Sequence, residues 1–198
     1  MSDTTSVPDR QATGLAQRPK RADARRNYEK LLAAAVEAFA DHGTDASLEE
    51  IARRAGVGIG TLYRHFPTRQ ALLEAAYIDE VEAMSARAHD LEDLEPWDAL
   101  ETWLRQFVRF AATKRALADE MLNSIDAEAP VFVSCRAAIT EAGDKLLKRA
   151  QEAGAARKDT TFTDVGRMVG GIAAIRSADP GQIDRILDLA LDGVRARP

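Results

Sequence analysis

Between Ile59 and His65 the chain reads Ile-Gly-Thr-Leu-Tyr-Arg-His. On a helix, Leu62 and the following Phe66 turn inward, leaving Ile59, Gly60, Thr61, Tyr63, Arg64 and His65 on the exposed side. These side chains suit recognition by hydrogen bonds rather than bond breaking. Thr61 can donate to a base edge or a phosphate, and its methyl can touch a thymine methyl. Tyr63 and His65 are donors suited to phosphate oxygens, which set register along a duplex. Arg64 reads guanine or clamps a phosphate, and Arg69 adds a cation beside the same surface. Gly60 lets a backbone approach a base or phosphate. The alternative for Tyr63 is a plain core position, which is the reading adopted for Phe66.

Such a face needs elements to hold it. Ser47 opens a short helix, and Glu50 three residues on completes a capping box. That helix carries Leu48, Ile51 and Ala52 and ends at Ala55-Gly56, where the turn wants a positive φ. A third short helix follows, from about Ile59 to Phe66. Ile51, Ala52, Val57, Leu62 and Phe66 supply the packing between the two, which makes a helix-turn-helix. Before it lies a helix from about Arg25 to Asp41, with an apolar stripe of Leu31, Leu32, Ala35, Val36 and Phe39, stopped at His42-Gly43. After Pro67, Thr68 caps a fourth helix running to roughly His89.

Helical periodicity continues to the end, without sustained alternation of period two. Pro96 opens a fifth helix to about Lys114, and a short sixth lies near Ala116 to Ile125. A seventh runs from about Val131 to Ala153. Thr163 caps an eighth to about Ser177, and Asp179-Pro180 starts a ninth. The expected fold is all-α with about nine helices: residues 1–22 an arm, 23–67 a helix-turn-helix domain, and 68–198 a larger ligand-binding and dimerisation domain.

Composition excludes several classes. The chain has 198 residues, 45% apolar and 30% charged, which is globular rather than disordered composition. No apolar run approaches the roughly 18–20 residues of a membrane span, and Met1 to Lys20 lacks the apolar segment of a secretory signal. A cytoplasmic location is expected. Cys135 is the only cysteine, so an internal disulfide and a structural zinc held by it alone are excluded. The histidines are His42, His65 and His89, and no metal spacing, phosphate loop or nucleophile elbow is present. No catalytic site, metal or cofactor is expected. The net charge of −5 hides an asymmetry. Residues 1–66 carry 10 basic and 9 acidic side chains, the rest 17 and 23. Arg10, Arg18, Lys20, Arg21, Arg25, Arg26 and Lys30 cluster near the start. A basic arm on an acidic body fits an anionic polymer at one end; a solvated tail is the other reading, and charge alone does not separate them.

The run Ile51-Ala52, Ala55-Gly56-Val57, Gly60-Thr61-Leu62-Tyr63, His65-Phe66, then Arg69 and Leu72-Leu73, resembles the DNA-binding domain of the tetracycline-repressor (TetR) family over about residues 25–73. The resemblance implies an all-α dimer with an N-terminal reader and a larger ligand-binding and dimerisation domain. It also implies that Thr61, Tyr63 and His65 face DNA and that Arg69 replaces a frequent lysine. Ile59 departs from a commonly polar position, and Pro67 from a frequent Lys or Ala. With Arg26 and Ser47, the candidate DNA-binding set is Arg26, Ser47, Ile59, Gly60, Thr61, Tyr63, Arg64, His65 and Arg69.

For the larger domain the resemblance supplies a reason to look for a pocket. Trp103, Phe107, Phe110, Met121, Phe132, Cys135, Met168 and Ile172 are the bulky candidates for an effector site, although aromatics at helical spacing usually pack as core. Arg105, Arg109, Asn123 and Arg176 are candidate polar anchors. The effector is expected to be an apolar or amphipathic small molecule. Dimerisation is expected through the eighth and ninth helices, with Met168, Val169, Ile172, Ala173 and Ile175 on one face and Ile183, Ile186, Leu187, Ala190, Leu191 and Val194 on the other. The alternative is that these faces cover other helices of the same chain. The whole reads as a homodimeric regulator, a ligand-responsive repressor of a palindromic operator. An enzyme and a helical protein adaptor are the competing classes; neither accounts for the polar face of the third helix next to a basic arm.

Overall fold

The computed structural model describes residues 18–113, 117–119, 129–175 and 179–196. Its helices are α1 (Ala22–His42), α2 (Leu48–Arg54), α3 (Ile59–His65), α4 (Arg69–Ala86), α5 (Pro96–Thr113), α6 (Pro130–Glu152), α7 (Phe162–Ala173) and α8 (Pro180–Asp192). The expected eighth and ninth helices are thus α7 and α8. Of the expected sixth, only Leu117–Asp119 are described, and they are helical. No strand occurs among the described residues; one isolated antiparallel bridge joins Ala156 to Arg195.

Local chemistry sets the boundaries. Gly43 (φ 53°), Gly56 (φ 67°) and Gly154 (φ 71°) take the positive φ open to glycine where the chain leaves α1, α2 and α6. Ser47 Oγ accepts from the Glu50 amide at 3.1 Å. The return half of the expected capping box is replaced, because the Glu50 carboxylate turns to Arg54, at 2.6 Å from Nη2 and 2.9 Å from Nε. Thr68 Oγ1 accepts from the Ala71 amide at 3.0 Å, as expected of a cap. α4 stops at Ala86, short of the expected His89, and a 3₁₀ turn covers His89–Leu91. The cap of α7 is Thr161, not Thr163. Asp164 lies three residues beyond Thr161 and reciprocates: its amide donates to Thr161 Oγ1 while its Oδ2 accepts from the Thr161 amide at 3.2 Å. Phe162 therefore opens the helix.

The chain divides into two compact units. One is residues 1–81 with 114–135; the other is 82–113 with 136–198. The first has a core of Tyr28, Leu31, Phe39, Ile51, Leu62, Phe66 and Leu72, all fully buried. In the second, Trp103 and Leu100 lie under Leu146, Leu147, Phe162, Val169, Leu187 and Leu191 in one apolar cluster. Gly143 on α6 is what admits Phe162, since a Cβ there would stand 2.0 Å from the ring.

Candidate nucleic-acid interface

α2 and α3 are both seven residues long. Helices this short are marginal alone, so packing must hold them. Ile51, Ala52, Leu62 and Phe66 are buried, and Tyr28 of α1 lies against Phe66 with ring centroids 4.9 Å apart. Two guanidinium groups complete the frame. Arg54 joins Glu50 to Asp41 at the end of α1, 2.8 Å away. The hydrogen bond from Arg54 holds the Glu50 carboxyl below the usual range, against the opposing effect of burial. Arg69 donates to the carbonyl oxygens of Ala46 and Gly43 and sits 4.8 Å over the Phe39 ring.

Only Leu62 of α3 is fully buried. Ile59 (37% exposed) and Tyr63 (46%) stand one turn apart on the outer side. Gly60 and Arg64 are exposed with them. Arg64 folds along its own helix, with Nε on the Gly60 carbonyl at 3.2 Å and Nη2 on Thr61 Oγ1 at 3.0 Å. Because Thr61 Oγ1 accepts there, its hydroxyl proton is left to donate outward. His65 is half-buried, edge-on to Tyr28 at 6.0 Å. Burial, and then the Arg64 charge, lower its pKa, which favours a neutral ring with one donor nitrogen.

Six of the nine candidate DNA-binding residues thus lie together on α3: Ile59, Gly60, Thr61, Tyr63, Arg64 and His65. The other three have local work. Ser47 caps α2. Arg26 is exposed and pairs with Asp23. Arg69 is directed at the α1–α2 connection. Sequence reading missed Arg54 as the side chain that fixes α2; its spacing of four from Glu50 was the available signal.

The described effector candidates fall in both units. Phe132 and Cys135 are buried in the first unit, where Phe132 meets Tyr77 at 5.7 Å. Trp103, Phe107, Phe110, Met168 and Ile172 belong to the second. Trp103 is core, its Nε1 donating to the Met84 carbonyl at 3.2 Å. Phe107 stacks on it at 5.6 Å, and Phe110 follows at 6.3 Å, both half-buried. Met121, Asn123 and Arg176 lie outside the described residues. Arg105 is committed to Glu101 and Asp188. Two polar atoms that sequence reading did not single out are buried without a partner among the described residues: Ser85 Oγ and Gln106 Oε1. A recess of about 320 Å³ in the second unit is lined by Arg157, Asp159, Asp164, Met168 and Ala190 among others, so Met168 is the one effector candidate on it.

The residues of the expected partner-facing stripes on α7 and α8 divide by burial, Met168, Ala173, Ile183, Ile186 and Ala190 being only partly buried. Val169, Ile172, Leu187, Leu191 and Val194 are buried within the single chain. The large apolar residues left exposed there are Leu189 (74% exposed) and Ile175 (42%). The width of the apolar face on α8 reflects its use as a core helix.

Residues 31–76 match the family of bacterial regulatory proteins described as the tetR family, and residues 95–196 match the C-terminal domain of SbtR-like transcriptional regulators. Among curated relatives, an HTH-type transcriptional regulator of Staphylococcus aureus is 37% identical over 78 residues, 38% of this chain and 40% of its own length. The HTH-type transcriptional repressor KstR of Rhodococcus jostii is 32% identical over 108 residues, covering 52% of this chain and 49% of that protein. The matches therefore span about half or less of those relatives. Solved structures match further: a TetR transcriptional regulator from Streptomyces coelicolor has 42% identity and a TM-score of 0.75, covering 86% of this chain and 99% of that one. A TetR regulatory protein from Mycobacterium vanbaalenii has 35% identity and a TM-score of 0.73, covering 90% and 100%.

Proposed function

Because this chain belongs to the tetR family of helix-turn-helix, DNA-binding transcriptional regulators, we propose that it is a ligand-responsive repressor that binds a palindromic operator as a homodimer. The observation that carries the reading is α3: a short helix held by Leu62 and its neighbours, with Ile59 and Tyr63 left exposed on the outer side. Two such helices, related by a two-fold axis, enter successive major grooves about 34–36 Å apart. Thr61 donates to a base edge, and Tyr63 and neutral His65 donate to phosphates. Repression is the sign favoured by the likeness to a protein named as a repressor.

The partner contact is assigned to α8 and the segment just after α7, through Leu189 and Ile175 rather than through the residues already used inside the chain. An apolar or amphipathic effector binds in the second unit, where Phe107 and Phe110 are half-buried and Ser85 Oγ and Gln106 Oε1 are buried without a partner among the described residues. Burying two unpartnered oxygens is costly, and a ligand carrying a donor relieves that cost. α4 contains Ser85 and begins beside the reader at Arg69, so an effector that favours one position of α4 over another changes DNA affinity. The function lines up as 23–67 reader and 68–198 effector and dimerisation region, with the basic N-terminal arm adding electrostatic affinity.

Selection of binding sites from random duplexes, with equilibrium sedimentation of the same preparation, tests the reading. Enrichment of an inverted repeat by a dimer is the expected result. An unenriched pool, or a monomer at micromolar concentration, would overturn it.

A further inference from the structure

Two glycines at the start of α3, its cap Gly58 and Gly60 inside it, cost the fold something and do nothing for it. Gly58 precedes the helix at φ −71°, a conformation open to any residue, and offers no side-chain cap where Ser, Thr or Asp would stabilise. Gly60 lies inside the helix, where glycine is a poor former. A Cβ added at either position meets nothing within 4 Å. Neither backbone geometry nor packing inside the chain asks for glycine there, unlike Gly56 with its positive φ or Gly143 against Phe162. Between them stands Ile59, a large apolar side chain left 37% exposed. One turn on, Tyr63 is exposed on the same side. Polar donors on this helix are in place nearby, since Thr61 and Arg64 are hydrogen-bonded to each other. Ile59 has no polar atom with which to join them.

We propose that Ile59 reads a thymine, packing on its C5-methyl in the major groove, and that Gly58 and Gly60 are bare so that the α3 backbone can come close enough for it to do so. The inference rests on the DNA-binding reading above. Of the four bases, thymine alone shows an apolar group on its major-groove edge. Against cytosine, adenine or guanine, isoleucine would cover a donor or acceptor without replacing its water, a cost that rejects those bases. The isoleucine therefore supplies discrimination at one position of each half-site, and the glycines supply the distance. Side chains at 58 and 60 would stand off the groove without disturbing the protein.

The test uses the full chain and the operator it selects. Each thymine of that operator is replaced in turn by deoxyuridine, which deletes only the methyl. One thymine per half-site should weaken wild-type binding about fourfold, the value of one buried methyl group. Ile59→Ala should lose that sensitivity at that position and keep the sensitivities at all others. Gly60→Ala should raise the melting temperature and yet weaken operator binding, a pairing that a merely structural glycine does not give. If no thymine is sensitive, or if Ile59→Ala keeps the sensitivity, the inference is overturned while DNA binding stands. If Gly60→Ala binds like wild type, the close approach is overturned. If wild-type protein enriches no sequence, both the inference and the reading beneath it fall.

Discussion

α3 and α5 are built from similar residue types and use them in opposite directions. α3 buries Leu62 and leaves Ile59 and Tyr63 outside. α5 carries Trp97, Leu100, Trp103, Leu104 and Val108 and buries all five. The polar ends of its two tryptophans are already matched: Trp103 to the Met84 carbonyl, and Trp97 to Glu101 at 2.7 Å. In α3 the polar ends of Thr61, Tyr63 and His65 sit at or near the surface. An aromatic residue thus says little about its fate. What separates Tyr63 from Trp103 is what its side of the helix meets: Trp103 lies in a cluster with Leu146, Phe162 and Val169 of other helices, while Tyr63 shares an exposed side with Ile59. The comparison extends to α8, where Leu187 and Leu189 are two residues apart and differ as the two helices do, 1% against 74% exposed.

Placing a charge at each leucine breaks that pair most sharply. Leu187→Glu puts an unpaired carboxylate into the core, and a loss of roughly 4 kcal/mol or more is expected. Circular dichroism should show a chain largely unfolded at physiological temperature. Leu189→Glu should keep the helical spectrum and, on the proposed interface, sediment as a monomer. A folded Leu187→Glu protein would contradict the single-chain core, and a dimeric Leu189→Glu protein would move the interface off α8. Asp188 is unsuitable as a neutral control on this helix, because it lies 2.5 Å from Arg105.

Glycine gives a second contrast. Gly143→Ala should destabilise by about 1–3 kcal/mol through overpacking against Phe162, although alanine is the better helix former. Gly171→Ala meets nothing within 4 Å, and should stabilise the isolated chain by up to about 1 kcal/mol. Urea midpoints for the two variants should move in opposite directions. Movement in the same direction would show that Phe162 is not held under α6.

Most helices and the exposed side of α3 were legible because their signals are local. The stripe on α1, the turn at Gly56 and the stop at Gly43 depend on residues within one or two turns. Ile59, Thr61, Tyr63 and His65 could be named because Leu62 and Phe66 fix which side of α3 is inside. What depends on distant partners was not legible. Phe162 fits because Gly143, nineteen positions earlier, is bare. That Arg69 donates to the Ala46 and Gly43 carbonyls depends on a connection 23 and 26 positions earlier. Val169 and Leu187 read as an interface, because a core-facing and a partner-facing stripe have the same period. Ser85 and Gln106 are ordinary helix residues whose burial follows from packing elsewhere.

Tyr63 and Trp103 return the comparison to function. Tyr63→Phe removes one outward hydroxyl, so operator affinity should fall by on the order of 1 kcal/mol, about fivefold, with the urea midpoint unchanged. Trp103→Phe removes the donor to Met84 and part of a buried ring, so the midpoint should fall while the folded protein keeps its operator affinity. Fluorescence anisotropy beside denaturation separates the two. An affinity loss in Trp103→Phe at full folding would mean that α5 bears on the reader, and an unaltered affinity in Tyr63→Phe would remove the phosphate bond.

The smallest expected effect belongs to the charged frame of α5. Glu101 accepts from Trp97 and, at 2.7 Å, from Arg105, which also reaches Asp188. Arg195, after α8, approaches Glu101 at 3.5 Å and lies 4.6 Å over the Trp97 ring. Burial raises the pKa of the Glu101 carboxyl, but the bonds from Arg105 and Trp97 and the two arginine charges outweigh it and hold the group below the ordinary glutamate value. A carboxyl with a lower pKa folded than unfolded stabilises above the unfolded value and loses that contribution as pH falls through the folded one. Glu101→Gln keeps the shape and removes the titration. At pH 7 it should cost no more than about 1 kcal/mol, in keeping with a partly exposed ion pair. Below the ordinary glutamate range its urea midpoint should converge on that of wild type. Glu50 and Asp164 are also held low, so both proteins lose stability in acid, and the difference between their slopes isolates Glu101. Parallel slopes from pH 7 down to pH 3 would show that this carboxylate does not tie α5 to the end of α8. The buried half of α5 would then rest on apolar packing alone, and its contrast with α3 would be one of burial without the polar matching.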